Sequence, residues 1–201
     1  AGQKISKIFV NSEEHGVQNV SMNIYVMERK LLIDEIKKGF VLGNKFFERD
    51  VLAPQTEKLN IQGYEFTGYQ ARIDDMKSYF DENMKLLKDE NLDSLFLGNP
   101  IYTKVRDDNP TRYINGSKAK NVMVADGCVI EGEIENSILF RGVKVAKGAK
   151  VKNCILMQDT VIEAGAEIEY VVSDKYVMVS EGKQLKGTDS FPVFIAKDQV
   201  V

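Results

Sequence analysis

The sequence predicts an α/β segment followed by a parallel β-helix of hexapeptide repeats, on three observations. Residues 1–95 mix strand-like and helix-like apolar spacing, Pro100 and Pro110 interrupt regular structure just beyond, and from residue 119 a short motif recurs with small residues at its corners. A chain of 201 residues, 43% hydrophobic, can bury a substantial core as one domain or two.

The elements follow in order. KISKIFV (4–10) and VSMNIYVM (20–27) are rich in β-branched and aromatic residues and read as strands. ERKLLIDEIKKGF (28–40) carries Leu31, Leu32, Ile36 and Phe40 near helical spacing, with Gly39 as a candidate terminator. LNIQGYEFTGY (59–69) alternates like a hairpin around Gly63. A second helix is expected over 75–88, where Met76, Tyr79, Phe80, Asn83, Met84 and Leu87 fall on or beside one stripe and Asp74 or Asp75 is placed to cap it. The expected organisation is an α/β part over 1–95, a crossing segment over 96–118, the β-helix over 119–180 and a tail over 181–201 that covers an open end.

The repeat itself is carried by GCVI (127–130), GAKV (148–151) and GAEI (165–168), and by NSILF (136–140) and NCILM (153–157). The spacings, 21 and 17 for the first set and 17 for the second, average roughly three six-residue units per coil. Three short faces per coil would then stack into parallel ladders about 4.8 Å apart. A β-sandwich is the alternative, but it would call for strict period-two strands separated by longer turns.

Composition excludes several classes. The charge of -3 arises from 27 basic and 30 acidic residues without a long block of either sign, so no nucleic-acid surface is expected. Cys128 and Cys154 lack a CxxC spacing, and one histidine, His15, completes no zinc set. No apolar run approaches the length of a membrane helix and the start AGQKISKIFV has no secretory core, which reads as cytoplasmic. The missing initiator methionine reads as a processed or excised segment.

Candidate sites are few. His15 sits in a polar turn outside the coils, so the solenoid lacks the in-coil general base of hexapeptide acyltransferases. The cysteines fall at small-residue positions and read as buried thiols. Arg141, Lys144, Lys147, Lys150 and Lys152 form a basic stretch, either a solvated face or a surface for phosphate or an anionic effector. Asp74 and Asp75 can cap a helix or ligate Mg²⁺, and Arg72 can neutralise them or meet a phosphate.

These segments together resemble the C-terminal portion of bacterial ADP-glucose pyrophosphorylase (glucose-1-phosphate adenylyltransferase), and more closely its divergent second subunit type, the glycogen biosynthesis protein. The resemblance is carried by KISKIFV, VSMNIYVM, GYEFTGYQARIDDMKSYFDENMKLL (63–87), NPIYTKV (99–105) and GCVIEGEIENSILFRGVKV (127–145). It implies a nucleotidyltransferase-like domain, of which residues 1–95 are the last part, followed by a left-handed β-helix. It also implies tetramers or hetero-oligomers with a catalytic subunit, and a sugar-phosphate or nucleotide as effector. The family's glycine-rich nucleotide loop is expected in a preceding half outside this sequence.

The family's reaction joins ATP and glucose 1-phosphate with Mg²⁺ and cationic groups around the phosphates. Where catalytic members have Glu-Lys-Pro, this sequence has Val10, Asn11 and Ser12, so a phosphate-contacting lysine becomes neutral Asn11. Where they have Ser-Met-Gly, it has Ser21, Met22 and Asn23, keeping the sugar-contacting serine and losing a permissive glycine. Where they have Gly-Tyr-Trp-x-Asp, it has Gly68-Tyr69-Gln70-Ala71-Arg72, which puts Arg72 in place of the metal-binding aspartate. The resemblance therefore implies a non-catalytic regulatory or assembly subunit needing no cofactor of its own, with Mg²⁺ confined to catalytic relatives. The rivals are an active adenylyltransferase with displaced ligands, a hexapeptide acyltransferase and a purely structural oligomerisation module.

Overall fold

A computed structural model describes residues 3–11, 16, 18–98 and 100–201. It divides into two compact units, Ala1–Thr67 and Gly68–Val201. Among the described residues no helix is long and apolar enough to cross a membrane.

The first unit holds β1 (Gln3–Lys4), α1 (Arg29–Leu42), a π-helical turn (Phe47–Leu52), a 3₁₀ turn (Ala53–Gln55) and β2 (Gln62–Gly63). Helix α1 runs past Gly39, which is buried against Asn44, and closes instead on Gly43 at φ 73°. There Gly43 N–H donates to Phe40 O at 3.2 Å and Asn44 N–H to Gly39 O at 2.9 Å, a left-handed terminus that glycine adopts without Cβ strain. Gly63 makes no hairpin with the residues that follow it. Gln62 and Gly63 pair antiparallel with Lys4 and Gln3. The VSMNIYVM segment forms no strand, and Val20, Ile24 and Val26 are exposed. β-propensity becomes a strand only when a neighbouring backbone completes the ladder, and no described residue does so here.

The second unit begins with α2 (Met76–Lys85), inside the helix expected over 75–88, and α3 (Asp89–Phe96), which the periodicity did not suggest. Its remainder is a parallel β-helix. Face one stacks Arg112–Tyr113, Val129–Ile130, Lys144–Val145, Val161–Ile162 and Met178–Val179. Face two stacks residues 118–120, 133–135, 150–152, 167–169 and 184–186. Face three stacks 122–124, 137–139, 155–156, 171–173 and 193–195. Every ladder is parallel, and inward aliphatics meet like residues above and below: Ile130, Val145, Ile162 and Val179 on face one, Ile134, Val151 and Ile168 on face two. Fully burying each such side chain contributes about 1.5–3 kcal/mol.

The coil length differs from the hexad average. Partners on face one lie 17 residues apart (Arg112 to Val129, Lys144 to Val161, Val161 to Met178) except for a 15-residue step from Val129 to Lys144. The two missing residues are at the corner occupied by Gly132. GCVI and GAKV, alike in sequence, therefore lie on different faces: Val129–Ile130 is on face one and Lys150 and Val151 are on face two. NSILF and NCILM do occupy equivalent places. Their Asn136 and Asn153 turn the corner between faces two and three at φ 45° and 51°, with Asn121 above them at 51°. Asn121 Nδ2 donates to Asn136 Oδ1 at 2.9 Å, a side-chain ladder at a backbone conformation that asparagine tolerates better than other non-glycine residues.

Helix α2 covers the outside of face three. Phe80, 3% exposed, seats on Ile155 and Val172, with Met76, Tyr79, Met84 and Tyr170 around them. The helix is amphipathic because its apolar residues recur every three or four positions, which aims them at this outward row of the coils.

Candidate functional site: the helix start and its cationic neighbour

Within the second unit, the chain from Gly68 enters α2 through a set of polar contacts. Tyr69 OH donates to Glu82 Oε2 at 2.9 Å, and Glu82 also accepts from Lys85 at 2.6 Å, which fastens the incoming segment to the helix. Asp75 is the N-cap: its Oδ1 accepts from Ser78 N–H at 2.7 Å, while Ser78 Oγ accepts from Asp75 N–H at 3.0 Å. This reciprocal box meets donors that a helix start leaves unpaired. The Ser78 hydroxyl and then the Ser78 N–H hold the Asp75 carboxyl below the usual carboxylate range. Asp74 does not cap. It faces back, and Arg72 Nε meets its Oδ2 at 2.8 Å, both side chains being 65% exposed.

This arrangement decides the fit of a divalent cation. Mg²⁺ takes oxygen ligands, and the three groups here are a guanidinium, a carboxylate paired with that guanidinium, and a carboxylate committed to a cap. No group of three or more His, Cys, Asp or Glu among the described residues could hold a metal ion. The donor set does not fit the metal.

The residues of the first unit form a separate group. Asn23 N–H donates to Ser21 Oγ at 3.1 Å, and Tyr25 OH lies 3.3 Å from both Asn23 Oδ1 and Glu48 Oε1, so Ser21 and Asn23 are brought together. Partial burial pushes the Tyr25 phenol up. Asn23 stands at φ 56° and Asn11 at 53°. Asparagine tolerates this left-handed backbone better than other non-glycine residues do. Ser12 and His15 lie outside the described residues.

The basic stretch is not gathered into one patch. Lys150 and Lys152 project from face two among glutamates, and Lys150 pairs with Glu167 at 2.7 Å. Lys144 lies on face one beside a groove of about 320 Å³ that Arg106, Asp108, Arg112 and Asp159 also line. Arg141 Nε is 3.9 Å from Asp108 Oδ2, and Lys147 lies at the corner before face two.

Both cysteines are fully buried. Burial pushes the Cys154 thiol up to about 12 and raises Cys128 as well, which leaves almost no thiolate at neutral pH. Iodoacetamide is expected to label neither residue in the native protein and both after unfolding in guanidinium, read by intact mass; native labelling of either would contradict this inert assignment.

Sequence reasoning missed the alternation of charge along face two, although KAK, EIE, KVK, EIE and QLK recur at the coil spacing. It also missed the Tyr69–Glu82 tie, for which no local pattern exists.

Residues 104–190 match the family described as GlmU-like, C-terminal hexapeptide. The chain is 41% identical over 181 residues to the glycogen biosynthesis protein GlgD of Bacillus subtilis, covering 90% of this chain and 52% of that protein. It is 41% identical over 132 residues to the protein of the same name from Geobacillus stearothermophilus, covering 65% of this chain and 38% of that protein. A glucose-1-phosphate adenylyltransferase of Clostridium perfringens is 29% identical over 198 residues, 91% of this chain and 48% of that enzyme. The chain spans about half the length of the curated relatives it matches over most of its own length. It is thus homologous to glycogen biosynthesis proteins of the GlgD type and to glucose-1-phosphate adenylyltransferases, and it carries a hexapeptide-repeat β-helix.

Proposed function

We propose that this chain is part of a non-catalytic regulatory or assembly subunit of ADP-glucose pyrophosphorylase, acting in glycogen synthesis beside a catalytic partner in a cytoplasmic hetero-oligomer. In this reading residues 1–95 are the last part of a degenerate nucleotidyltransferase domain and the coils dock subunits. One observation carries it: at the position where the resemblance expects a metal-binding aspartate, Arg72 is ion-paired with Asp74, and the next carboxylate caps a helix. A cation there repels Mg²⁺, and Asn11 supplies no charge for a sugar phosphate.

Regulation then requires that this subunit contact two states of its partner differently. An anionic effector, a sugar phosphate or nucleotide, is assigned by this reading to Arg141, Lys144 and Lys147, the members of the basic stretch outside face two. The test is the full-length protein, purified alone and together with a catalytic subunit, assayed for ADP-glucose. The expected result is no turnover alone, and a changed rate or effector response in the mixture. Robust turnover by the purified protein alone would overturn the proposal.

A further inference from the structure

Face three is covered by α2 and face two carries Lys–Glu pairs, but one segment of the second unit has no partner among the described residues. Residues 100–107, PIYTKVRD, belong to no helix or strand, and all are exposed, Tyr102 by 91% and Val105 by 83%. Among the described residues their backbone N–H and C=O groups make no hydrogen bond. The nearest in sequence that do are Leu97 N–H, which donates to Asp93 O, and Asn109 O, which accepts from Gly127 N–H. None of these residues has a positive φ, and Ile101, Tyr102, Thr103 and Val105 are strand-favouring types. Unpaired backbone flanked by such side chains is a template for another strand.

The segment is complementary to itself. Turned about a two-fold axis through Thr103, a second copy runs antiparallel to the first. Ile101 then lies opposite Val105 and Thr103 opposite Thr103 on one side of the ribbon, with Tyr102 opposite Lys104 and Pro100 opposite Arg106 on the other. One side pairs β-branched residues, and the other sets an ammonium group against a phenol ring. With Thr103 in a hydrogen-bonded pair, Ile101 and Val105 are hydrogen-bonded too, while Pro100 falls in a non-hydrogen-bonded pair where its missing N–H costs nothing. Recentring on Lys104 would put two ammonium groups face to face, so the pattern also selects the register. We infer that residues 100–106 form an isologous interface, through which two copies of this chain pair antiparallel about Thr103. A two-stranded ribbon is marginal by itself, so this contact is weak alone and gains from any other contact between the same two subunits. It stands apart from the regulatory reading: turnover by the purified protein would leave it intact.

The test places cysteines in the full-length protein, with the parent as background because Cys128 and Cys154 are buried. Under copper-phenanthroline oxidation, Thr103→Cys is expected to form a covalent dimer at least about tenfold faster than Ile101→Cys, since paired Cα atoms lie about 5.5 Å apart and two copies of residue 101 about 14 Å apart. Mixing Ile101→Cys with Val105→Cys should restore cross-linking, seen as a mixed dimer by intact mass. Adding Thr103→Pro to both removes the central N–H groups and should return the mixture to the level of either component alone. Residue 103 makes no backbone hydrogen bond within its own subunit, so this change should leave the circular dichroism unaltered. Thr103→Cys cross-linking no faster than Ile101→Cys, or a mixture no faster than its components, overturns the inference; whatever covers the segment is then not a second copy.

Discussion

Gly132→Ala is expected to cost the β-helix more than about 3 kcal/mol, beyond the usual range for an overpacked site, because the added methyl has nowhere to go. A Cβ at residue 132 would lie 2.4 Å from Ala149 O and 2.7 Å from Ala146 O, both backbone atoms. Neither carbonyl is free to retreat: Ala149 O accepts from Glu133 N–H at 2.9 Å and Ala146 O from Ala149 N–H at 3.1 Å. The corner is crowded because its coil is two residues shorter than its neighbours. Gly148→Ala is the matched control. Its methyl would meet nothing closer than 3.8 Å, so only the strain of φ 78° is felt, about 1–2 kcal/mol. Guanidinium unfolding followed by circular dichroism ranks the two; equal midpoints would show that the short corner relaxes freely.

Phe80→Ala is expected to cost about 3–5 kcal/mol locally and to release α2 while the coils persist. Phe80 is the only fully buried residue of α2, and its ring covers Ile155 and Val172, which point away from the interior of the coils. Without the ring, a cavity opens and those two side chains meet water. Hydrogen exchange would show lost protection over 76–85 with face one unchanged. Retained protection in α2 would mean that Met76, Tyr79 and Met84 hold it unaided.

Sequence carried some levels of this structure and not others. The β-helix was legible because inward aliphatics and small corner residues recur, a pattern imposed by stacking that few other folds require. Its phase was not: Gly127 and Gly148 open similar tetrapeptides but turn different corners, and the two-residue deletion at Gly132 leaves no mark except an odd spacing. The α2 start was legible from the Asp74–Asp75 pair ahead of the apolar stripe, since a cap is a local device, but Ser78's part in it was not read. The end of α2 was not legible, because apolar spacing continues through Leu87 while the helix stops at Lys85, and α3 went unread. VSMNIYVM read as a strand on propensity alone, and propensity says nothing about whether a partner is present. At the candidate site, the types of Arg72, Asp74 and Asp75 were visible, but which carboxylate served the helix and which the guanidinium depended on geometry.

One corner residue links the coils to their covering helix. Three rungs of the corner between faces two and three use asparagine, but the fourth uses Tyr170, which takes φ 52° despite its bulk. Its ring lies 6.0 Å from that of Phe80. The backbone strain at this rung is thus offset by an aromatic contact that exists only while α2 is seated. Docking of the helix and closure of that coil form one thermodynamic cycle, so that anything prying α2 from the surface also loosens a turn of the solenoid, and a partner gripping α2 would stiffen it.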